Sequence, residues 1–270
     1  MFKIPLKYRW TYRHLTSAEL SRDCSFDLCL SNLFEDSGHR FMDFYSEQGL
    51  RLALKRYGFV AKLRELGYEQ TDIRFGVRED GSHYLEVFEP PFEKERVIAE
   101  LIVRRTALDE IFPILKVEWL CLQNPKVAFS DERPRLPGQH YPGLGLGKDV
   151  LSAIVLMALR LKYQAVTNVA DHFHNAYIYS GSFDFYKAED AARFHDFCHF
   201  MKEGELSIAD VAWALETGKI FRKGEDAPYH WEPAVQILPL RSSLAEKFSS
   251  AEYTEMVEAN YGTFQFEYRA

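Results

Sequence analysis

The chain has 270 residues, of which 47% are hydrophobic and 15% aromatic. This composition excludes a disordered or fibrous protein, because such chains lack the apolar residues that fill a core. Acidic residues outnumber basic residues by 40 to 33, which gives a net charge of −7. That balance argues against a sequence-independent nucleic-acid binder, which needs a basic face.

The four cysteines (Cys24, Cys29, Cys121 and Cys198) are spaced neither as a disulfide framework nor as a zinc site. We therefore expect reduced thiols and a cytoplasmic location. The N-terminal segment lacks the apolar stretch of a secretory signal. The longest run of apolar or small residues, 150–159, is too short to span a bilayer, so the sequence predicts no membrane partner.

Residues 1–45 have no clean periodicity, and the predicted elements begin after them. In chain order they are a helix over 47–66, a hairpin over 72–78 and 83–88, strands over 96–105 and 114–122, a loop over 124–147, a buried helix over 147–162 and a strand over 165–169. Helices over 188–202, 207–217 and 244–258 follow, with an irregular or extended stretch over 228–239 and a last strand over 263–268.

This order of elements predicts an α/β (α+β) protein with a mixed, mostly antiparallel, twisted sheet flanked by helices. We expect three regions along the chain. They are an N-terminal extension over 1–46 packed on the core, a core over 47–186, and a mainly helical C-terminal extension over 187–270.

A glycine-rich segment, 142–148 with the sequence PGLGLGK, lies between a strong strand and a buried helix. Glycines let the backbone approach a ligand closely, and the first turn of a helix favours an anion such as phosphate. The dinucleotide pattern G-x-G-x-x-G fails here, because Lys148 and Val150 stand where its third glycine belongs. A P-loop fails as well, since Pro142 and Asp149 replace two of its required residues.

A third pattern fits better. Residues 145–151 resemble the second half of motif A of the GNAT superfamily, the acyl-CoA-dependent N-acyltransferases, which reads Q/R-x-x-G-x-G/A. The run 118–122 followed by Pro125 is similar to the family's fourth strand, and 165–183 is similar to its fifth strand and the helix after it. The resemblance covers about half of the chain. Motif A is divergent, because Pro142 stands at its Q/R position.

The resemblance implies acetyl-CoA, or another acyl-CoA, as co-substrate and a small-molecule or peptide amine as acceptor. It also implies a fourth and fifth strand that splay apart, with amides after a bulge in the fourth strand holding the thioester carbonyl. The glycine-loop amides would hold the pyrophosphate. The implied cofactor-binding residues are Cys121, Leu122, Gly143, Leu144, Gly145, Leu146, Gly147, Lys148 and Asn175.

Two catalytic residues follow from the same resemblance. Glu118 matches the carboxylate that takes the proton of the amine, and Tyr179 matches the tyrosine that protonates the leaving thiolate. Each has an alternative. Glu118 could be an exposed strand residue paired with Lys116 or an arginine, and Tyr179 could be a core aromatic residue.

Two other classes of function stay open. One is a non-catalytic module of the same fold that binds acyl-CoA or a partner protein, which the divergent Pro142 favours. The other is a metal-dependent enzyme built on His172, His174, His195 and His199, although no metal is expected. His172 or His174 could instead line the acceptor cleft, whose walls we expect from 1–45, the loop 124–142 and the C-terminal extension. A homodimer is compatible with the sequence.

Overall fold

The computed structural model describes residues 2–23 and 40–269, so the expectations for Cys24 and Cys29 fall outside the described residues. The elements before the glycine loop are α1 (Leu6–His14), α2 (Ser17–Ser21), α3 (Glu47–Arg56), α4 (Phe59–Glu65), β1 (Asp72–Val77), β2 (His83–Phe88), β3 (Ala99–Leu108) and β4 (Phe112–Leu122). Those after it are α5 (Gly147–Arg160), β5 (Ala165–Val169), α6 (Phe173–Ser180), β6 (Asp184–Phe185), α7 (Ala188–Glu203), α8 (Ile208–Glu216), β7 (Ile220–Arg222), β8 (Val235–Pro239), α9 (Ser242–Phe248), α10 (Ala251–Glu258) and β9 (Phe266–Tyr268).

The described residues form a seven-stranded sheet in the order β1-β2-β3-β4-β5-β8-β6, and a separate two-stranded sheet of β7 and β9. Within the large sheet only β4 and β5 run parallel, and the other neighbours are antiparallel. Helices flank this sheet. The predicted fold class, an α/β protein with a mixed and mostly antiparallel sheet, is confirmed.

The C-terminal region contributes more than helices. Its strand β8 pairs with β5 along its whole length, from Val235 opposite Val169 to Pro239 opposite Ala165. The expected irregular or extended stretch over 228–239 therefore ends in a strand of the central sheet. The region after residue 187 completes the core and does not only pack on it.

Two predicted helices are broken in the structure. The helix over 47–66 is interrupted at Gly58, which has a left-handed φ of +81° and separates α3 from α4. The helix over 244–258 stops at Ser249, and Ser250 starts α10 by accepting a hydrogen bond from the Tyr253 N–H at 3.1 Å. A pattern of apolar residues continues across both breaks, which is why periodicity alone predicts one helix.

The main core lies between the sheet and the layer of α3 and α5. Val103, Leu115 and Val166 supply the sheet side of this cluster, and Ile154 supplies the α5 side. The N-terminal residues share it. The members of the same cluster from that region are Leu15, Leu20, Phe41, Met42 and Tyr45.

A second, aromatic cluster unites the C-terminal elements. Phe173 of α6, Phe197 of α7, Tyr229 and Phe266 of β9 are all buried in it. The ring centroids of Phe197 and Phe266 are 4.8 Å apart in an edge-to-face arrangement. This cluster fixes α6, which follows β5, against the rest of the C-terminal region.

Candidate acyl-CoA site

Strands β4 and β5 part in the middle of the sheet. Their parallel pairing ends with Val117 opposite Asn168, whereas β4 continues to Leu122. The pairing of β3 with β4 is interrupted at the same level, because Ile102 is opposite Trp119 and Val103 is opposite Val117. Glu118 is therefore the extra residue of a β-bulge. Beyond the bulge, β4 has an edge that β5 does not cover.

The direction of the backbone groups along that edge follows from one hydrogen bond. The Gln123 N–H donates to the Ile98 carbonyl at 2.9 Å, on the β3 side. Because backbone groups alternate in direction along an antiparallel pair, those of Cys121 also face β3. Those of Leu120 and Leu122 face the uncovered edge. The resemblance implies the amides of Cys121 and Leu122 for the thioester carbonyl. The Leu122 amide faces the uncovered edge, but the Cys121 amide faces β3. The second amide on that edge belongs to Leu120.

The glycine loop returns to this edge. The Leu144 N–H donates to the Leu122 carbonyl at 3.4 Å, and the Asn124 N–H donates to the Pro142 carbonyl at 2.7 Å. The segment 142–144 therefore runs beside the end of β4. Pro142, which cannot donate, serves here as an acceptor, and the loop is brought next to the outward-facing amides.

The loop itself presents backbone donors to the surface. Gly145 has a φ of +73° and no heavy atom within 4 Å of where a Cβ would stand. The N–H groups of Gly147 and Lys148, at the start of α5, have no acceptor among the described residues. The first amides of a helix and its dipole attract anions. The loop can therefore hold a phosphate group without any rearrangement of the helix start.

A carboxylate stands in the first turn of α5, but its charge is matched. The Tyr8 hydroxyl donates to Asp149 Oδ1 at 2.5 Å, and Lys62 Nζ donates to Asp149 Oδ2. Burial alone would raise the pKa of Asp149, and the hydrogen bonds from Lys62 and Tyr8 more than offset this and lower it. Asp149 is thereby turned toward α1 and α4, and it anchors the N-terminal extension at the glycine loop.

Glu118 lies in an ionic environment. Its Oε1 accepts a hydrogen bond from Arg104 Nε at 2.8 Å and lies 3.5 Å from Lys116 Nζ. Arg104 and Lys116 alternate with the core residues Val103 and Leu115, so all three charged side chains are on the sheet face away from α5. The structure thus gives Glu118 the ion pairs of the alternative interpretation, with both Lys116 and an arginine as partners.

Tyr179 lies on α6 and packs against two clusters, the main core and a smaller cluster around Ala176 and Phe185. Burial raises the pKa of its phenol, which suits a group that must hold its proton until a thiolate takes it. Asn175, one turn earlier on the same helix, is half-buried, and its backbone N–H donates to the His172 carbonyl at 3.1 Å.

One residue of this region was not predicted. Asn168 is the last residue of β5 that pairs with β4, is only 6% exposed, and leaves its Oδ1 without a hydrogen bond within the described ranges. A buried amide oxygen without a partner is costly, so such a group indicates a ligand-facing position. The signal in the sequence was an asparagine in the buried strand Ala165–Val169, whose other residues are apolar except Thr167.

The long loop 124–142 is held by the region after β5. Trp213 Nε1 donates to the Arg135 carbonyl at 2.8 Å. His172 Nε2 lies 3.4 Å from where a Cβ would stand on Gly138. His172 therefore lies against this loop.

The remaining histidines do not converge. His174 is buried and stacks on His172 with 5.1 Å between ring centroids. His195 and His199 are exposed on α7, beside Asp196 and Glu203 respectively. In residues 2–23 and 40–269, no group of three or more His, Cys, Asp or Glu side chains could hold a metal ion. Cys121 is half-buried, and burial raises the pKa of its thiol to about 11.

Comparison of the chain with protein-family models and with curated proteins gives no match. Over the parts of the chain that the structure describes, no helix is both long enough and apolar enough to cross a membrane.

Proposed function

We propose that this protein is an acyl-CoA-dependent N-acyltransferase with the GNAT fold. One observation carries the proposal: the uncovered edge of β4, with the outward amides of Leu120 and Leu122, lies beside amides at the start of α5 that have no acceptor in the described part of the chain. The amides of Leu120 and Leu122 can hold a thioester carbonyl, and the amides at the start of α5 can hold a pyrophosphate. The bulge at Glu118 and the parting of β4 from β5 support the proposal, since the resemblance implies both.

The chemistry assigns each group one task. The amine nitrogen attacks the thioester carbonyl carbon, a C–N bond forms and the C–S bond breaks. The amides of Leu120 and Leu122 stabilise the negative charge that develops on the carbonyl oxygen. The amine loses a proton, for which Glu118 is the candidate acceptor, and the leaving thiolate gains a proton from Tyr179. The products are an amide and free CoA.

A second candidate function is a non-catalytic module that binds acyl-CoA. It is favoured by the ion pairs of Glu118, because Arg104 and Lys116 already occupy the carboxylate. An acceptor amine would have to displace or share these partners. The predicted cytoplasmic location, the absence of nucleic-acid and metal partners, and a homodimer remain proposals. Elemental analysis of the purified protein tests the metal alternative.

A turnover assay distinguishes the two candidate functions. Release of CoA from acetyl-CoA is measured with a panel of primary amines, for the wild type and for Tyr179→Phe and Glu118→Gln. For an enzyme we expect Tyr179→Phe to lower kcat by about a hundredfold, with the Kd for CoA unchanged. Tyr177→Phe, the same change two residues earlier on α6, is the matched control and should keep full activity. Unchanged turnover in both Tyr179→Phe and Glu118→Gln would contradict the catalytic roles.

A further inference from the structure

An apolar cavity of about 150 Å³ lies between the sheet and the layer of α3, α4 and α5. The sheet contributes leucines from β2, β3 and β4, and the helices face them across the cavity. On α5 the lining residues Val150, Ala153 and Met157 are spaced by three and four positions and so form one helical face. Among its walls are Leu85, Leu101, Ala53 and Leu54.

The cavity begins at the proposed acyl-CoA site. Leu120 and Leu122, whose amides face the uncovered edge of β4, place their side chains in the cavity wall. Leu144 and Leu146 of the glycine loop line the same end. A thioester carbonyl bound to these amides would therefore have its acyl group at the entrance of an apolar space.

The size and chemistry of the cavity indicate its occupant. The lining continues along α5 from Val150 to Arg160, which is about 15 Å of helix. A dry cavity of about 150 Å³ accommodates six carbon atoms in the form of benzene. Two charged residues reach its lining and both are engaged, Arg160 with the Tyr12 carbonyl at 2.8 Å and Glu100 with Lys94 at 2.7 Å.

We propose that the transferred acyl group is a medium-length hydrocarbon chain that lies in this cavity. This inference rests on the proposed function and specifies its substrate class. The chain enters between Leu122 and Leu146 and lies along the α5 face. Acetyl would leave most of the cavity unfilled, whereas hexanoyl or octanoyl groups would bury their methylenes against leucine side chains.

Calorimetric titration with CoA and with acetyl-, butyryl-, hexanoyl-, octanoyl- and decanoyl-CoA tests the inference. Burial of each methylene should tighten binding by about fourfold until the cavity is full. The Kd should therefore fall steadily from acetyl-CoA to hexanoyl-CoA or octanoyl-CoA and then level off.

Two variants fill the cavity from two different helices of its wall, Ala153→Phe on α5 and Ala53→Leu on α3. Both should make octanoyl-CoA bind at least tenfold more weakly and leave the Kd for CoA unchanged. The matched control is Ala61→Leu on α4, because Ala61 is exposed and does not line the cavity. Thermal melting of each variant identifies any that fails to fold, and the second variant then carries the test.

The outcomes distinguish this inference from the proposed function. If CoA binds but the Kd does not depend on chain length, the cavity does not hold the acyl group and the inference is overturned while the proposed function stands. Retention of tight octanoyl-CoA binding by the folded cavity-filling variants also overturns it. If neither CoA nor any acyl-CoA binds, both are overturned.

Discussion

Asp149 places a negative charge where the proposed ligand is an anion. Carboxylates in the first turn of a helix are stabilised by its dipole, and this one is held by Lys62 and by the Tyr8 hydroxyl. Both partners are distant in sequence and come from α4 and α1. Lys62 and Tyr8 therefore satisfy the carboxylate, and Tyr8 fixes the N-terminal helix at the glycine loop. The N–H groups of Gly147 and Lys148, which have no acceptor among the described residues, remain for a ligand.

His174 gives the protein a stability that depends on pH. It is 3% exposed, and burial together with the neighbouring His172 lowers its pKa from 6.5 to about 4. Between these values the unfolded chain binds a proton that the folded protein does not, so acidification favours unfolding. Stability should therefore fall as the pH drops from about 6.5 to about 4. Burial also lowers the pKa of His83, so His83 adds to the same loss of stability on acidification.

The prediction is tested by urea unfolding at a series of pH values in this range. His174→Gln should have a shallower dependence of the unfolding free energy on pH than the wild type, because it has no proton to gain at this position. A slope that the substitution leaves unaltered would show that His174 titrates normally in the folded protein.

At single residues, the sequence predicts chemical type better than environment. Glu118 was expected at the fourth-strand site and stands at the bulge, but its partner Arg104 comes from the register between β3 and β4. That register contains a one-residue shift that no pattern in the sequence predicts. The same shift decides that Leu120 and Leu122, and not Cys121, face the uncovered edge. Asn168 was passed over because its role depends on where β5 stops pairing with β4.

Helix α3 approaches α2 more closely than any side chain would allow. A Cβ on Gly49 would stand 1.8 Å from the Leu20 carbonyl oxygen, which is backbone and cannot turn aside. In an open helix, Gly→Ala stabilises by about 1 kcal/mol. At this position the effect on stability is opposite. Gly49→Ala should destabilise the protein by about 3 kcal/mol, because α2 and α3 must move apart to make room for the Cβ.

Chemical denaturation measures this difference. Gly147→Ala is the matched control, since Gly147 is also a helical glycine and a Cβ there meets no atom within 4 Å. It should be neutral or stabilising. A Gly49→Ala variant as stable as the wild type would mean that α2 does not lie against α3 at this distance.

Among the elements, those with strong periodicity were predicted well. The hairpin of β1 and β2, the strand β5 and the buried helix α5 were all located from sequence. Breaks inside a continuous apolar pattern were missed, as at Gly58. The helices α1 and α2 were missed as well, because their apolar residues are few and become buried only against the core.

For the whole molecule, composition and the order of elements suffice for the fold class, but not for the way the two ends of the chain complete it. Strand β8 lies between β5 and β6 although β6 precedes it in sequence. The N-terminal residues Leu15, Leu20 and Phe41 enter the main core beside β3, β4 and α5. Both arrangements are long-range packing, which local periodicity cannot specify. Over the described residues, the N-terminal and C-terminal regions thus belong to one packed structure with the core.

The central claim is that the glycine loop and the edge of β4 bind CoA, and calorimetric titration of CoA tests it most directly. The wild type is compared with Gly145→Ala and Gly224→Ala, because both glycines have a left-handed φ (+73° and +85°) and open space around the Cβ position. Both substitutions should cost about 1 kcal/mol of stability through backbone strain. We expect CoA to bind the wild type and Gly224→Ala equally, and Gly145→Ala at least tenfold more weakly. No binding to the wild type, or equal binding to all three proteins, would contradict the claim.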